Sequence, residues 1–375
     1  MTTIANQFIK IINDPKGDAQ DALARISGSD ADFVLCLGST QTSDIPGISA
    51  AGVTPEMRRV TPATDAEALM LGRAVSVPSI PVSPRGIVSP VVITRACIKL
   101  TSTPVTVVDC GAFQSPQCPV YKAGKTHARC VSSGDALDMA QVENLWRLGQ
   151  VLGEEIARQK RALVLAECVP GGTTTALGVL TALGYAAGGL LSSSLPGCNH
   201  EERTALVEAG LERAELSKEE ARLKPLRAVA AVGDPMQAFV AGAATAASRN
   251  TQVVLAGGSQ MLAVYALFKA MQETMAQPQA RFQPITVTTK WVALDPFADT
   301  AELSRRLAAP YAASCPDFTK SRHAGLKAYE EGNVKEGIGA GGAMMLAHQC
   351  PGSSEEQIMS AIDDTYDELC PPGRA

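Results

Sequence analysis

The segment Val334-Lys335-Glu336-Gly337-Ile338-Gly339-Ala340-Gly341-Gly342 sets one carboxylate ahead of four closely spaced glycines. Ala343-Met344-Met345-Leu346-Ala347-His348 follows, an apolar run suited to a helix. Glycine at this density lets backbone approach a neighbour closely and take positive φ, at an entropic cost that a plain turn rarely needs. A carboxylate at the mouth of such a loop can be held partly buried and facing a ligand, where a general base is useful. The competing reading is a glycine-rich helix start with a solvated Glu336, and the segment alone slightly favours it.

A second pattern upstream shifts that balance. The aliphatic run 162–166 leads into Glu167-Cys168-Val169-Pro170-Gly171-Gly172-Thr173-Thr174-Thr175 and then a helical pattern with Leu177, Leu180 and Leu183. A strand, a glycine turn, hydroxyls and a helix N-terminus make an anion site, because unpaired amides and the helix dipole favour a phosphate. The alternative is a tight turn with a threonine cap. The segment is neither a Walker A loop nor G-x-G-x-x-G, so a dinucleotide-dependent oxidoreductase is disfavoured. A third cluster, 253–256 into Gly257-Gly258-Ser259-Gln260-Met261, repeats the design. In an open α/β sheet all such turns lie at the carboxyl ends of the strands, where ligands bind. Helix–sheet packing can also demand glycine, so one of the three is open to a structural reading. Asp109 ends the run Val107-Val108-Asp109 and either contacts a ribose hydroxyl or caps the next loop. Cys168, beside the phosphate turn, reads as an inert thiol. His323, in Ser321-Arg322-His323, ranks below Glu336, with Lys320 and Arg322 as possible phosphate partners.

The elements that position these residues follow from pattern. Short aliphatic or β-branched runs at 32–37, 105–109, 162–166, 253–256 and 285–289 read as strands, most followed by a helical pattern. That is the signature of βα units and a parallel sheet. Val142, Leu145, Leu148, Leu152 and Ile156 predict a helix over 140–159. Asp234-Pro235 predicts an N-cap and first turn for a helix through Ala247. Residues 226–232 lean helical, 198–224 form a charged helical excursion, and 355–369 form an acidic amphipathic helix before Pro371-Pro372. Loops at 77–90, with Pro78, Pro81, Pro84 and Pro90, at 114–125 and at 191–200 are long enough to be functional.

The 375 residues carry a net charge of −5, with 46% hydrophobic but only 4% aromatic side chains. The aliphatic bias suits a parallel sheet covered by helices. The charge offers no attraction to nucleic acid or an anionic membrane. No apolar run reaches the roughly eighteen residues of a membrane span, and residues 1–15 lack the layout of a signal peptide, so a cytoplasmic protein is expected. Ten cysteines are scattered without a C-x-x-C pair and four histidines share no zinc spacing with them. No metal is expected.

These segments together resemble the nicotinate-nucleotide:dimethylbenzimidazole phosphoribosyltransferases, the CobT family of cobalamin assembly, in particular a divergent CobT-related branch. The resemblance is carried by Ile45-Pro46-Gly47-Ile48-Ser49-Ala50-Ala51-Gly52, Glu167 through Thr175, Val232-Gly233-Asp234-Pro235-Met236-Gln237, Gly257 through Met261, and Lys335 through Gly342. It implies Glu336 as catalytic base, in the family's Glu-Gly-x-Gly position. It further implies substrate contacts from Glu167, Gly171, Gly172, Thr173, Thr174 and Thr175, from Gly257, Gly258, Ser259 and Gln260, and from Gly337 and Gly339, with Asp109 added from its strand-end position. Thr173 stands where the family has Asn, Pro170-Gly171-Gly172 replaces part of its turn, and its Asp-Gly is Gly257-Gly258 here. These departures leave the accepting base open between dimethylbenzimidazole, adenine and similar rings. The implied reaction moves a phosphoribosyl group from nicotinate mononucleotide to a heteroaromatic base without a cofactor, and a non-catalytic binding protein is the alternative. The implied architecture is a doubly wound, mostly parallel α/β domain over 25–325, with a smaller helical part from 1–24 plus 326–375, in a homodimer.

Overall fold

A computed structural model of the chain describes residues 8–370, apart from 28–29, 79, 81, 84, 160, 275–278 and 351. The readings on residues 1–7, Pro81, Pro84 and Pro371-Pro372 lie outside the described residues. The five runs read as strands are all strands. With three more they form β1 (Ile9–Asn13), β2 (Ala31–Leu37), β3 (Val105–Asp109), β4 (Tyr121–Lys122), β5 (Ala162–Cys168), β6 (Val253–Ala256), β7 (Ile285–Thr289) and β8 (Tyr311–Ser314). One sheet holds them in the order β1-β8-β7-β6-β5-β2-β3-β4. Every pairing is parallel except β1 with β8.

The central strands are buried on both faces, which is why they read as unbroken apolar runs rather than alternations. One face carries Val34, Cys36, Leu163, Leu165, Val253 and Leu255 in a core shared with helices Met139–Arg158, Gly172–Ala182 and Pro235–Ala247. The other carries Phe33, Leu35, Val164, Ala166, Val254 and Val287 in a core shared with helices Asp18–Ile26, Val91–Thr101, Ala340–Gln349 and Glu355–Leu369. The sheet is therefore doubly wound, as expected. From β2 the chain builds outward to β3 and β4, then returns to lay β5 on the other side of β2. That reversal opens a crevice at the carboxyl ends of β2 and β5, the usual ligand site of such sheets.

Helix expectations hold at Pro235–Ala247, where Asp234 and Gln237 form a reciprocal capping box, and at Leu226–Val232 and Glu355–Leu369. The charged excursion contains helices His200–Arg213 and Lys218–Leu223. Part of 1–24, expected in a smaller helical part, is corrected: residues 9–13 form β1, whose Ile9 and Ile11 pair antiparallel with Ser314 and Ala312 and cover the edge of β8. An exposed sheet edge is a template for unwanted pairing, and this short strand blunts it.

Candidate active site

Glu336 sits where three local constraints meet. Val334 and Lys335 both have φ of 66°, and the amides of Lys335 and Glu336 bond back two residues to Asn333 O and Val334 O. These are successive γ-turns of the rare positive-φ kind, unusual for a β-branched valine and typical of strain held at a functional site. Ile338, with φ of 56°, then ties the loop to β5 through its amide on Glu167 O at 3.0 Å. The side chain of Lys335 is buried and reaches Asp295 Oδ2 at 2.5 Å. Burial opposes the Asp295 charge, but bonds from Lys335, Ser192 and the Phe297 amide hold its carboxyl below the usual range. This buried pair fixes the backbone one residue before Glu336.

The Glu336 carboxylate accepts four hydrogen bonds. Thr288 Oγ1 donates at 3.1 Å and the Thr289 amide at 2.8 Å to Oε2; the Gly337 and Gly341 amides donate at 3.2 and 3.3 Å to Oε1. Burial nevertheless raises its pKa to about 7, against the pull of those donors. Glu167 closes β5 nearby. Burial first, then the charges of Glu336 and Asp234, push it up to about 8. Burial thus raises both carboxyls of the site toward neutrality, where a carboxyl can exchange a proton in acid–base chemistry.

Both carboxyls line one cleft of about 120 Å³. Gly171 and Thr173 at the start of helix Gly172–Ala182 face it, as do Gly258, Ser259, Gln260 and Gly337. No side chain caps that helix N-terminus, and Gly171 takes φ of 80° there. The long loops contribute Ser83, Ser89 and Pro90 from one side and Ser192, Ser193 and Ser194 from the other. The loop at 114–125 does not reach the cleft lining.

Other expected site residues lie outside that lining, each for a visible reason. A Cβ on Gly339 would come within 2.6 Å of Ala166 Cβ, so this glycine lets the helix start lie on the sheet rather than on a ligand. Gly172 clears space for the Gln260 side chain, and the Gly257 amide bonds Val287 O at 3.0 Å. Thr174 is fully buried, and Thr175 donates to Asp234 Oδ2 at 2.5 Å. Asp109 caps its own loop by accepting from the Gly111 and Ala112 amides and Ser115 Oγ. Lys320 pairs with Asp317, Arg322 with Asp364 and Asp367, and His323 stacks on Tyr366 with Nε2 on Asp363 O. All three are away from the cleft. Cys168 does line it, but burial raises its thiol far above the usual value, in keeping with an inert role.

Two features of the site had no signal in the sequence reading. Asp65, inside helix Pro55–Leu71, is buried in the cleft wall. The Asp295–Lys335 pair joins residues forty apart. Among the described residues no group of three or more His, Cys, Asp or Glu is placed to hold a metal ion, and no helix is long and apolar enough to cross a membrane.

Residues 94–278 match the phosphoribosyltransferase family DBI_PRT. A UPF0284 protein of Gloeobacter violaceus is 46% identical over 344 residues, 92% of this chain and 89% of its own length. Another, from a Cyanothece species, is 44% identical over 358 residues, 94% of this chain and 96% of its own. The chain belongs to the UPF0284 family. Among solved structures, CobT from Thermus thermophilus superposes with a TM-score of 0.61 at 14% identity, covering 94% of this chain and 90% of that one. The nicotinate-nucleotide-dimethylbenzimidazole phosphoribosyltransferase of the same organism gives 0.56 at 14% identity, over 96% and 92%. This UPF0284 chain thus has the CobT fold, and its DBI_PRT match over residues 94–278 supports an enzyme of the phosphoribosyltransferase class.

Proposed function

We propose that the cleft transfers a phosphoribosyl group from nicotinate mononucleotide to a heteroaromatic base, with Glu336 as the proton acceptor. The reading is carried by one observation: Glu336 and Glu167, both with raised pKa, share a cleft with an uncapped helix N-terminus. The sugar phosphate would sit at the amides of Gly171 and Thr173, where the dipole favours an anion, the Gly172 amide being bonded to Val169 O. The pyridinium ring of the nucleotide is cationic, so it leaves with the C1–N electron pair as nicotinate with a neutral ring and needs no general acid. A ring nitrogen of the acceptor gives its lone pair to C1 as that bond breaks. The new ribotide would carry a positive ring, and the proton on its second nitrogen passes to Glu336. That proton displaces one of four existing bonds, the Gly341 amide at 3.3 Å being the longest. A positioned base of this kind contributes roughly a hundred- to ten-thousandfold, and holding the two rings in line supplies more. The homodimer implied by the resemblance and a cytoplasmic setting belong to the same proposal.

The filled acceptor shell of Glu336 also favours a second reading, a nucleotide- or base-binding protein without turnover, because a carboxylate has about four lone-pair sites. Purified protein incubated with nicotinate mononucleotide and a panel of azoles and purines separates the two. Released nicotinate that depends on the base supports transfer; saturable binding of nucleotide and base without release supports the second.

A further inference from the structure

The cleft holds a third carboxyl that the transfer chemistry above does not use. Asp65 lies one helical turn from Thr61, and both face the cleft. It is 2% exposed. Cys168 Sγ lies 3.8 Å from Oδ2, and the Ser89 hydroxyl turns toward the carboxyl. Its other oxygen, Oδ1, is buried and accepts no hydrogen bond from the protein. A buried carboxyl oxygen left without a donor is costly, so such atoms call for an explanation. An ion pair is not one here. The single basic residue in the cleft lining, Lys335, is committed to Asp295.

We propose that Asp65 selects the acceptor ring by taking a hydrogen bond from a second donor on it, an exocyclic amino or hydroxyl group. The inference rests on the transfer reading, in which Glu336 serves the ring proton lost during reaction and leaves Oδ1 of Asp65 for another. Two carboxyls in one cleft then read two different hydrogens of the same ring: one departs, the other stays. A ring bearing only alkyl groups would leave Oδ1 unpaired and pay for its desolvation. Sites built to hydrogen-bond a substrate group reject analogues lacking it far more strongly than apolar pockets discriminate by size. The surrounding hydroxyls of Thr61, Ser83 and Ser89 suit a polar ring edge better than a pair of methyls.

Ring pairs that differ by one amino group test this: adenine against purine, and an aminobenzimidazole against benzimidazole. With the full chain and saturating nicotinate mononucleotide, kcat/KM for each acceptor is read from nicotinate release. The amino-bearing ring is expected to lead by at least about tenfold, and Asp65→Ala should bring the ratio toward one while the melting curve stays cooperative. A wild-type ratio near one overturns the assignment. So does an Asp65→Ala protein that keeps the preference, or one that loses both acceptors equally, as a structural role would require. Should Asp65→Ala not fold, the wild-type ratios decide. If no base releases nicotinate, the transfer reading fails by itself, and equilibrium dialysis of the same pairs still judges Asp65. Tighter binding of the amino-bearing ring, lost in the variant, keeps the selection; equal binding removes it.

Discussion

Two of the three glycine-rich helix starts of this chain look alike in sequence and meet different surroundings. Before helix Ala340–Gln349, Gly339, Gly341 and Gly342 let the helix rest directly on β6 and β7, where any Cβ would meet Ala256 or the Thr288 backbone. Before helix Gly172–Ala182, Gly171 turns the chain so that a helix start without a side-chain cap lines the cleft. The first set of glycines is structural; what it delivers is Glu336, bonded to the Gly341 amide from that same helix start. The second start lines the cleft, where the proposed sugar phosphate would sit. Glycine density thus marks close approach, and only the sheet shows whether the approached partner is protein or substrate.

Substitutions at the two starts should separate these roles. Gly341→Ala puts a methyl into the Thr288 backbone, a clash that packing cannot relieve. It is expected to cost more than about 3 kcal/mol or to abolish folding, measured by urea denaturation; a near-native midpoint would mean the helix does not rest on the sheet as described. Gly171→Ala is less crowded, its Cβ meeting Ser43 N at 3.0 Å so that Ser43 must give slightly, and it must hold φ of 80°. Its stability loss should be about 1–2 kcal/mol, with a raised KM for nicotinate mononucleotide outweighing any change in kcat. An unchanged KM would take the phosphate away from this turn.

The carboxyls sharpen the contrast from the side of stability. Glu336, Glu167, Asp65 and Asp234 have folded pKa values of about 7, 8, 7 and 6, each raised by burial from the usual value near 4. A raised carboxyl favours the protonated folded form, so its stabilising contribution is complete below pH 4 and is lost as pH climbs through 6 to 8. The melting temperature should therefore fall from pH 5 to pH 8. Glu167→Gln should flatten that slope, and a flat wild-type profile would show the carboxyls to be better solvated than the structure has them. The smallest effect is expected at Arg322→Ala. Its partners Asp364 and Asp367 are on the surface helix Glu355–Leu369, so transfer should be unchanged; a loss would bring that helix into the site.

What the sequence made legible follows the same division. Strands β2, β5 and β6 are rich in aliphatic residues because both of their faces are buried, and β3 and β7 read as strands by their β-branched Val, Ile and Thr. Strand β8, Tyr-Ala-Ala-Ser, lacks that signal, since the Ala340–Gln349 helix presses on it too closely for larger side chains. Glu336 and Glu167 stood out by their glycine neighbours. Asp65 did not, being one of three carboxyls in helix Pro55–Leu71, with neighbours Ser89 and Cys168 brought to it from distant segments. Asp295 and Lys335 could not be paired from spacing, because contact across forty residues is set by the fold and not by local pattern.

The central claim concerns one proton, and Glu336→Gln addresses it most directly. The amide keeps the volume and part of the hydrogen bonding but cannot accept the ring proton. Nicotinate release from nicotinate mononucleotide, followed with the best acceptor base at pH 7.5, is expected to slow by roughly a hundred- to ten-thousandfold, with nucleotide binding and the melting curve retained. Release at the wild-type rate would show that Glu336 is not the base.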